Sequence, residues 1–143
     1  MGIQKKQKIT KMKKIITIYV TIFIASVILT SCNNYGKEKN FNGVQLFYTS
    51  TITEAEANLL GNYLIKAEFA DGSEKTVQLN KSGNTYEFRM VVKTGIEQDQ
   101  EYIELGKLMA AEISTDVFNG KQVDVHYCDE NLKTLRVLPM STQ

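Results

Sequence analysis

Between Val44 and Leu138 the apolar residues switch repeatedly between strand and helix periodicity, and this alternation restricts the fold more than any other feature of the sequence. Val44–Ser50, VQLFYTS, is apolar and rich in strand formers. Thr53-Glu54-Ala55-Glu56 places a glutamate three residues after a threonine, the pattern of a capping box that opens a helix. Leu59, Leu60, Tyr63, Leu64 and Ala67 then recur at helical spacing, and Asp71-Gly72 stops the run. KTVQLN and NTYEFRMVVK predict two strands around Lys81-Ser82-Gly83-Asn84, a composition suited to a tight hairpin. In the second of them Tyr86, Phe88, Met90 and Val92 share a face, because side chains alternate along a strand. After Thr94-Gly95 the pattern restarts. Tyr102, Leu105, Met109, Ile113 and Val117 predict a helix from Gln98 to Phe118, ended by Asn119-Gly120, and QVDVHYC and LKTLRVLP predict two further strands joined by Asp129-Glu130-Asn131.

The two halves of this region resemble each other. LGNYL (Leu60–Leu64) matches LGKLM (Leu105–Met109), and Asp71-Gly72 matches Asn119-Gly120. NTYEFRMV (Asn84–Val91) matches NLKTLRVL (Asn131–Leu138), which sets Arg89 on Arg136 and Phe88 on Leu135. The expected fold class is α+β. Two helix-strand-strand repeats follow an added first strand in the order β-α-β-β-α-β-β, and an antiparallel sheet carries both helices on one face. Gly61 and Gly106 fall inside the two helices, where glycine costs up to about 1 kcal/mol relative to alanine. Their matched placement implies close approach to another element.

The N-terminus follows different rules. Lys5, Lys6, Lys8, Lys11, Lys13 and Lys14 precede an apolar run from Ile15 to Leu29, and no acidic residue appears before Glu38. The run is 15 residues long, interrupted only by Thr17, Thr21 and Ser26. That length suits the core of an export signal better than a membrane span of about 20 residues. Leu29-Thr30-Ser31-Cys32 closes it and resembles the lipobox of bacterial lipoprotein precursors. The resemblance implies that the chain is cut before Cys32, that the thiol is diacylglycerylated, and that the new amino group is open to acylation. A thiolate is nucleophilic enough to accept a lipid in thioether linkage, and each buried methylene of two or three acyl chains adds about 0.8 kcal/mol to anchoring. Residues 1–31 are therefore expected to be a signal peptide, 32–42 a polar tether and 43–139 the folded domain with its internal duplication. Asn33 stands where some Gram-negative lipoproteins carry the aspartate of an inner-membrane retention signal, which leaves the outer membrane or cell surface as the destination in such a cell.

From Cys32 onward 11 basic residues face 16 acidic ones, a net charge of −5 that the whole-chain value of +1 conceals. This average argues against nucleic acid, against a phosphate clamp and against electrostatic docking on anionic lipid. With Cys32 acylated, Cys128 is the one thiol left, so no intramolecular disulfide forms and the core must hold without one.

Asp124-Val125-His126-Tyr127-Cys128 is the most reactive constellation in the chain, because period 2 points Asp124, His126 and Cys128 to one side of a strand. A carboxylate, an imidazole and a thiol in a row are the ingredients of a zinc site or of a cysteine nucleophile with a histidine base. Neighbours on one strand face stand about 7 Å apart, however, and His126 is the only histidine in the chain. The sequence contains no Gly-rich phosphate loop, Gly-x-Ser-x-Gly elbow, Cys-x-x-Cys pair or His-Glu-x-x-His. Glu97, Asp99, Glu101 and Glu104 open the second predicted helix, where its dipole alone accounts for them. Arg89 and Arg136 are candidates for the two sides of a symmetric anion groove, though strand arginines more often pair with an acid such as Glu87.

LFYTSTITEAEANLLGNYL and KTVQLNKSGNTYEFRMVVK also resemble segments of small lipoprotein domains of unknown function, a likeness that covers Gly43–Leu138 and implies no catalytic residues. The expectation is a lipid-anchored envelope protein, fixed to the membrane through Cys32, that works without a cofactor as a non-catalytic binding or scaffold module for another envelope component. The alternative is a metal protein or enzyme centred on Asp124, His126 and Cys128.

Overall fold

The computed structural model describes residues 34–140, so Cys32 and the expected signal peptide lie outside the described residues. The strands are β1 (Lys37–Phe41), β2 (Val44–Tyr48), β3 (Lys75–Ser82), β4 (Thr85–Val91), β5 (Val123–Cys128) and β6 (Thr134–Pro139). Helix α1 (Glu54–Lys66) joins β2 to β3, and α2 (Gln100–Asp116) joins β4 to β5 after a short 3-10 turn at Ile96–Gln98. All six strands form one sheet in the order β1-β2-β3-β4-β5-β6.

The fold is α+β, but the expected antiparallel sheet of two repeats is corrected on two counts. β2 and β3 run parallel, as do β4 and β5, so the sheet is mixed: three antiparallel hairpins stand side by side, joined by two helical crossovers. The physical reason is connectivity. A helix laid across a sheet returns the chain to the end where it started, and the next strand must then run parallel to the last. The second correction is β1 itself, which occupies residues expected to be tether. KEKNF has no apolar alternation to announce it, and its lysines suit an edge strand that must not recruit a neighbour.

Local chemistry explains the element ends. The Thr53 side chain accepts from the Glu56 backbone N–H while the Glu56 carboxylate accepts from the Thr53 N–H, a complete capping box at the start of α1. Asp99 caps α2 with its side chain alone, which accepts from the N–H groups of Glu101 and Tyr102. Gly83, at a φ of 59°, supplies the left-handed residue that the two-residue β3–β4 turn needs.

Both helices lie on one face. Val44, Leu46, Val77, Leu79, Phe88, Val123 and Val125 project toward them and are fully buried together with Leu60, Leu64 and Ile113 of the helices. The two helical glycines mark where helix meets sheet edge: a methyl at Gly61 would overlap the Phe41 ring of β1, and one at Gly106 would overlap Leu138 of β6 and the Tyr127 hydroxyl. Tyr86 stacks on Phe118 at 3.8 Å between ring centres, and its hydroxyl donates to Glu56 at 2.6 Å. Burial, with the Glu56 carboxylate beside it, pushes the Tyr86 phenol up to about 12. Among the described residues no helix is long and apolar enough to cross a membrane.

Candidate functional site

Two places on the domain carry chemistry: the sheet face turned away from the helices, and a groove at one end of the strands.

The open face is polar along its central strands. The register sets Asn80 opposite Glu87, Glu87 beside Asp124, Gln78 opposite Arg89, Arg89 beside His126, and Val91 beside Cys128. Asp124, His126 and Cys128 do share this face, as period 2 requires, but each is committed to a neighbour. Gln122 donates to Asp124 at 3.0 Å. His126 Nδ1 lies 3.3 Å from Arg89 Nη1 and 3.2 Å from the Thr134 hydroxyl. The Cys128 thiol points at the carbonyl of His126, 3.6 Å away on its own strand.

Electrostatics at these groups follows from burial. Burial lowers the His126 pKa below that of a free imidazole; Arg89 adds to the effect, while Glu87 and Asp124 oppose it. The neutral ring can therefore accept at Nδ1 from the guanidinium. Burial also raises the Cys128 pKa, which makes a poor thiolate donor and a poor nucleophile. Among the described residues no group of three or more His, Cys, Asp or Glu side chains is placed to hold a metal ion.

Arg89 organises the face. Its Nη2 donates to the Leu132 carbonyl at 2.7 Å, its Nη1 lies 3.6 Å from Glu87 Oε2, and its Nε is buried without a partner. Asn80 donates to the same Glu87 oxygen at 2.9 Å and accepts from the Thr49 hydroxyl at 2.7 Å. Leu132 has a φ of 58°, a left-handed conformation unfavourable for leucine, and is buried with its carbonyl aimed at Arg89. Arg136, matched with Arg89 in the sequence, lies beside Tyr127 on the helix-bearing side of the sheet. The two arginines therefore sit on opposite faces and cannot flank one groove.

The groove has a volume of about 1220 Å³ and lies where β3 begins and β4 and β5 end. Phe69, Met90, Ile96, Tyr102, Tyr127 and Leu135 give it an apolar lining. Its rim includes Glu74, Lys75, Lys93, Asp129 and Glu130. Phe69 is fixed edge-on against Phe88 at 6.1 Å, and the Tyr127 hydroxyl donates to the Tyr102 carbonyl, so two walls are held by core contacts. Tyr102 remains 43% exposed, which makes it the most accessible aromatic of the lining. Sequence reading did not find this groove, because Phe69 and Ile96 come from connections between elements and carry no periodic signal.

The class defined by these features is a small α+β domain with helical crossovers on one face of a mixed sheet and a groove at the end of its strands. Residues 39–138 match the AF_1994_N family N-terminal domain, and the chain belongs to that family. An uncharacterised protein of Archaeoglobus fulgidus is 29% identical over 115 residues, which cover 79% of this chain and 47% of the relative. The chain thus spans about half the length of that relative. No solved structure matches. The family match begins beyond Cys32, so the lipobox lies outside the matched span.

Proposed function

We propose that this protein is a cell-envelope lipoprotein, anchored by acylation of Cys32, whose domain acts as a non-catalytic binding module for another envelope component, with the groove beside Tyr102 as its binding site. The observation that carries the reading is the contrast between the two candidate places. Apart from Arg89 Nε, the polar side chains of the open face are bound to one another or to nearby backbone carbonyls, whereas the groove presents apolar surface on walls that are already fixed. A pre-formed apolar recess with a few polar groups at its rim is the usual form of a small-ligand site. The anchor rests on the lipobox residues Leu29–Cys32.

The test is crosslinking of detergent-extracted native protein followed by mass spectrometry of the bound material and of the Cys32 peptide. One dominant partner or ligand, lost in Tyr102→Ala and retained in His126→Gln, is the expected result. Stoichiometric zinc that disappears in His126→Gln would replace this reading with a metal site on the open face.

A further inference from the structure

The polar cluster of the open face and the groove share one hairpin. Asp129, Glu130 and Asn131, in the connection from β5 to β6, and Leu135 of β6 form one wall of the groove. Leu132 lies between them, buried, at the left-handed φ of 58° that leucine disfavours. The Leu132 N–H donates to the Asp129 carbonyl at 3.0 Å, and the N–H groups of Asn131 and Lys133 donate to the Asp129 carboxylate at 2.9 Å. These three bonds all end on Asp129, inside the connection itself. A tie to the body of the sheet comes from Arg89, whose Nη2 donates to the Leu132 carbonyl at 2.7 Å. An arginine on the open face of β4 thus helps to fix a wall of the groove without lining it.

His126 sets the state of that arginine. Its Nδ1 lies 3.3 Å from Arg89 Nη1 and 3.2 Å from the Thr134 hydroxyl. A neutral ring offers an acceptor at Nδ1, whereas a protonated ring carries donors at both nitrogens. The groups that face the ring are Arg89 and Glu87 from β4, Asp124 and Cys128 from its own strand, and the uncharged Thr134 from β6. A proton at Nδ1 finds an acceptor in the Thr134 hydroxyl and sets a second positive charge beside Arg89. Glu87 Oε2, 3.6 Å from Nη1, then offers the guanidinium an opposite charge along β4, away from Leu132. The present pose already forgoes one hydrogen bond, because Arg89 Nε is buried without a partner, and the loss of the imidazole acceptor removes another.

We propose that protonation of His126 opens the groove wall: Arg89 leaves the Leu132 carbonyl for Glu87, the connection from Asp129 to Lys133 loosens, and the groove binds at neutral pH and releases in acid. The proposal rests on the groove being the binding site. Leu132 is the point that yields, since a left-handed leucine persists only while its surroundings hold it there. Burial of the ring disfavours its charged form, so the wall stays closed at neutral pH. Arg89 acts as a positioning residue and His126 as the group that releases it.

The test follows the full-length protein in detergent from about pH 7.5 to about pH 4.5. Amide exchange at Asn131, Leu132 and Lys133, corrected for the intrinsic effect of pH, should quicken by roughly tenfold as the pH falls, while Val77 and Leu79 of β3 keep their protection. The sequence contains no tryptophan, so Leu135→Trp places a single indole on the groove wall, and its quenching by acrylamide should rise over the same interval. Both changes should be absent in His126→Gln and present at every pH in Arg89→Met. Exchange that does not change with pH in the wild type, or that changes equally in His126→Gln, would overturn the switch whatever Leu135→Trp does to the hairpin. A wall that opens as expected, with the same crosslinked material captured by Tyr102→Ala as by the wild type, would overturn the groove as the binding site and leave the movement of the wall standing.

Discussion

Gly106 and Gly61 occupy matched positions in the two helices, yet the cost of adding a side chain should differ. At Gly106 the new methyl meets Leu138, which is buried, and the Tyr127 hydroxyl, which is tied to the Tyr102 carbonyl, so neither neighbour has room to retreat. At Gly61 the three nearest atoms all belong to the far end of the Phe41 ring, on a half-buried edge-strand residue that has room to swing outward. Overpacking in a fixed site costs about 1–3 kcal/mol. Gly106→Ala should lower the unfolding free energy read from urea titration by an amount in that range, and Gly61→Ala by clearly less. Equal losses would mean that Phe41 is as constrained as Leu138. Cys128 offers a second test at this scale. Its buried thiol with a raised pKa should react with a water-soluble thiol reagent roughly a hundredfold more slowly in the folded protein than in urea.

His126 connects residue to element. Its folded pKa lies below the 6.5 of a free imidazole, so between those two values the unfolded chain holds more protons than the folded one. Stability must then rise with pH across that interval: it begins to fall as the pH drops through 6.5 and stops falling on this account below the folded pKa. Urea titrations of wild type and His126→Gln at several pH values should show a shallower slope in the variant. An identical slope would assign the acid sensitivity to other groups. The β5–β6 hairpin depends on the same network, because Arg89 holds the Leu132 carbonyl while the Asp129 carboxylate accepts from the N–H groups of Asn131 and Lys133. A hydrogen bond from a charged donor contributes about 1.5–3 kcal/mol, so Arg89→Met should speed amide exchange at Leu132 and Lys133 by at least roughly tenfold, with β2 and β3 unaffected. The helices and five of the strands were legible in the sequence because each carries a run of apolar residues at one period, and Thr53–Glu56 marked a helix start correctly. The Arg89–His126–Leu132 network was not legible. Its members are 37 and 43 residues apart and meet only through the parallel β4–β5 register, and nothing local in the sequence distinguishes a crossover that ends in parallel pairing from one that does not. The apparent match of Arg89 with Arg136 failed for a related reason: a β-bulge at Tyr127/Cys128 shifts the register of β6, and alternate residues face opposite sides of the sheet.

At the scale of the whole molecule, the least visible element decides where the domain begins. Apolar pattern places the start at Gly43, but the fold engages the chain from Tyr35. β1 pairs with β2 over five registered positions, Phe41 covers Gly61, Lys39 bridges Glu54, and the Asn42 amide donates to the Ala70 carbonyl at 2.8 Å. A chain that starts at Gly43 loses all of this and leaves β2, whose Val44 and Leu46 are fully buried, as a bare edge without the lysines that guard β1. Loss of one large aromatic from a packed site costs about 3–5 kcal/mol, and the half-buried Phe41 sets the expected loss toward the lower figure, close to 3 kcal/mol of stability for the shortened chain. Size-exclusion chromatography should also show it associating with rising concentration, through the uncovered β2 edge. A chain starting at Asn34 should keep the midpoint of the longer protein and remain a single species. If the two truncations unfold at the same urea concentration, β1 contributes no net stability; the lysine-bearing strand would then serve only to carry the chain from Cys32 to the sheet.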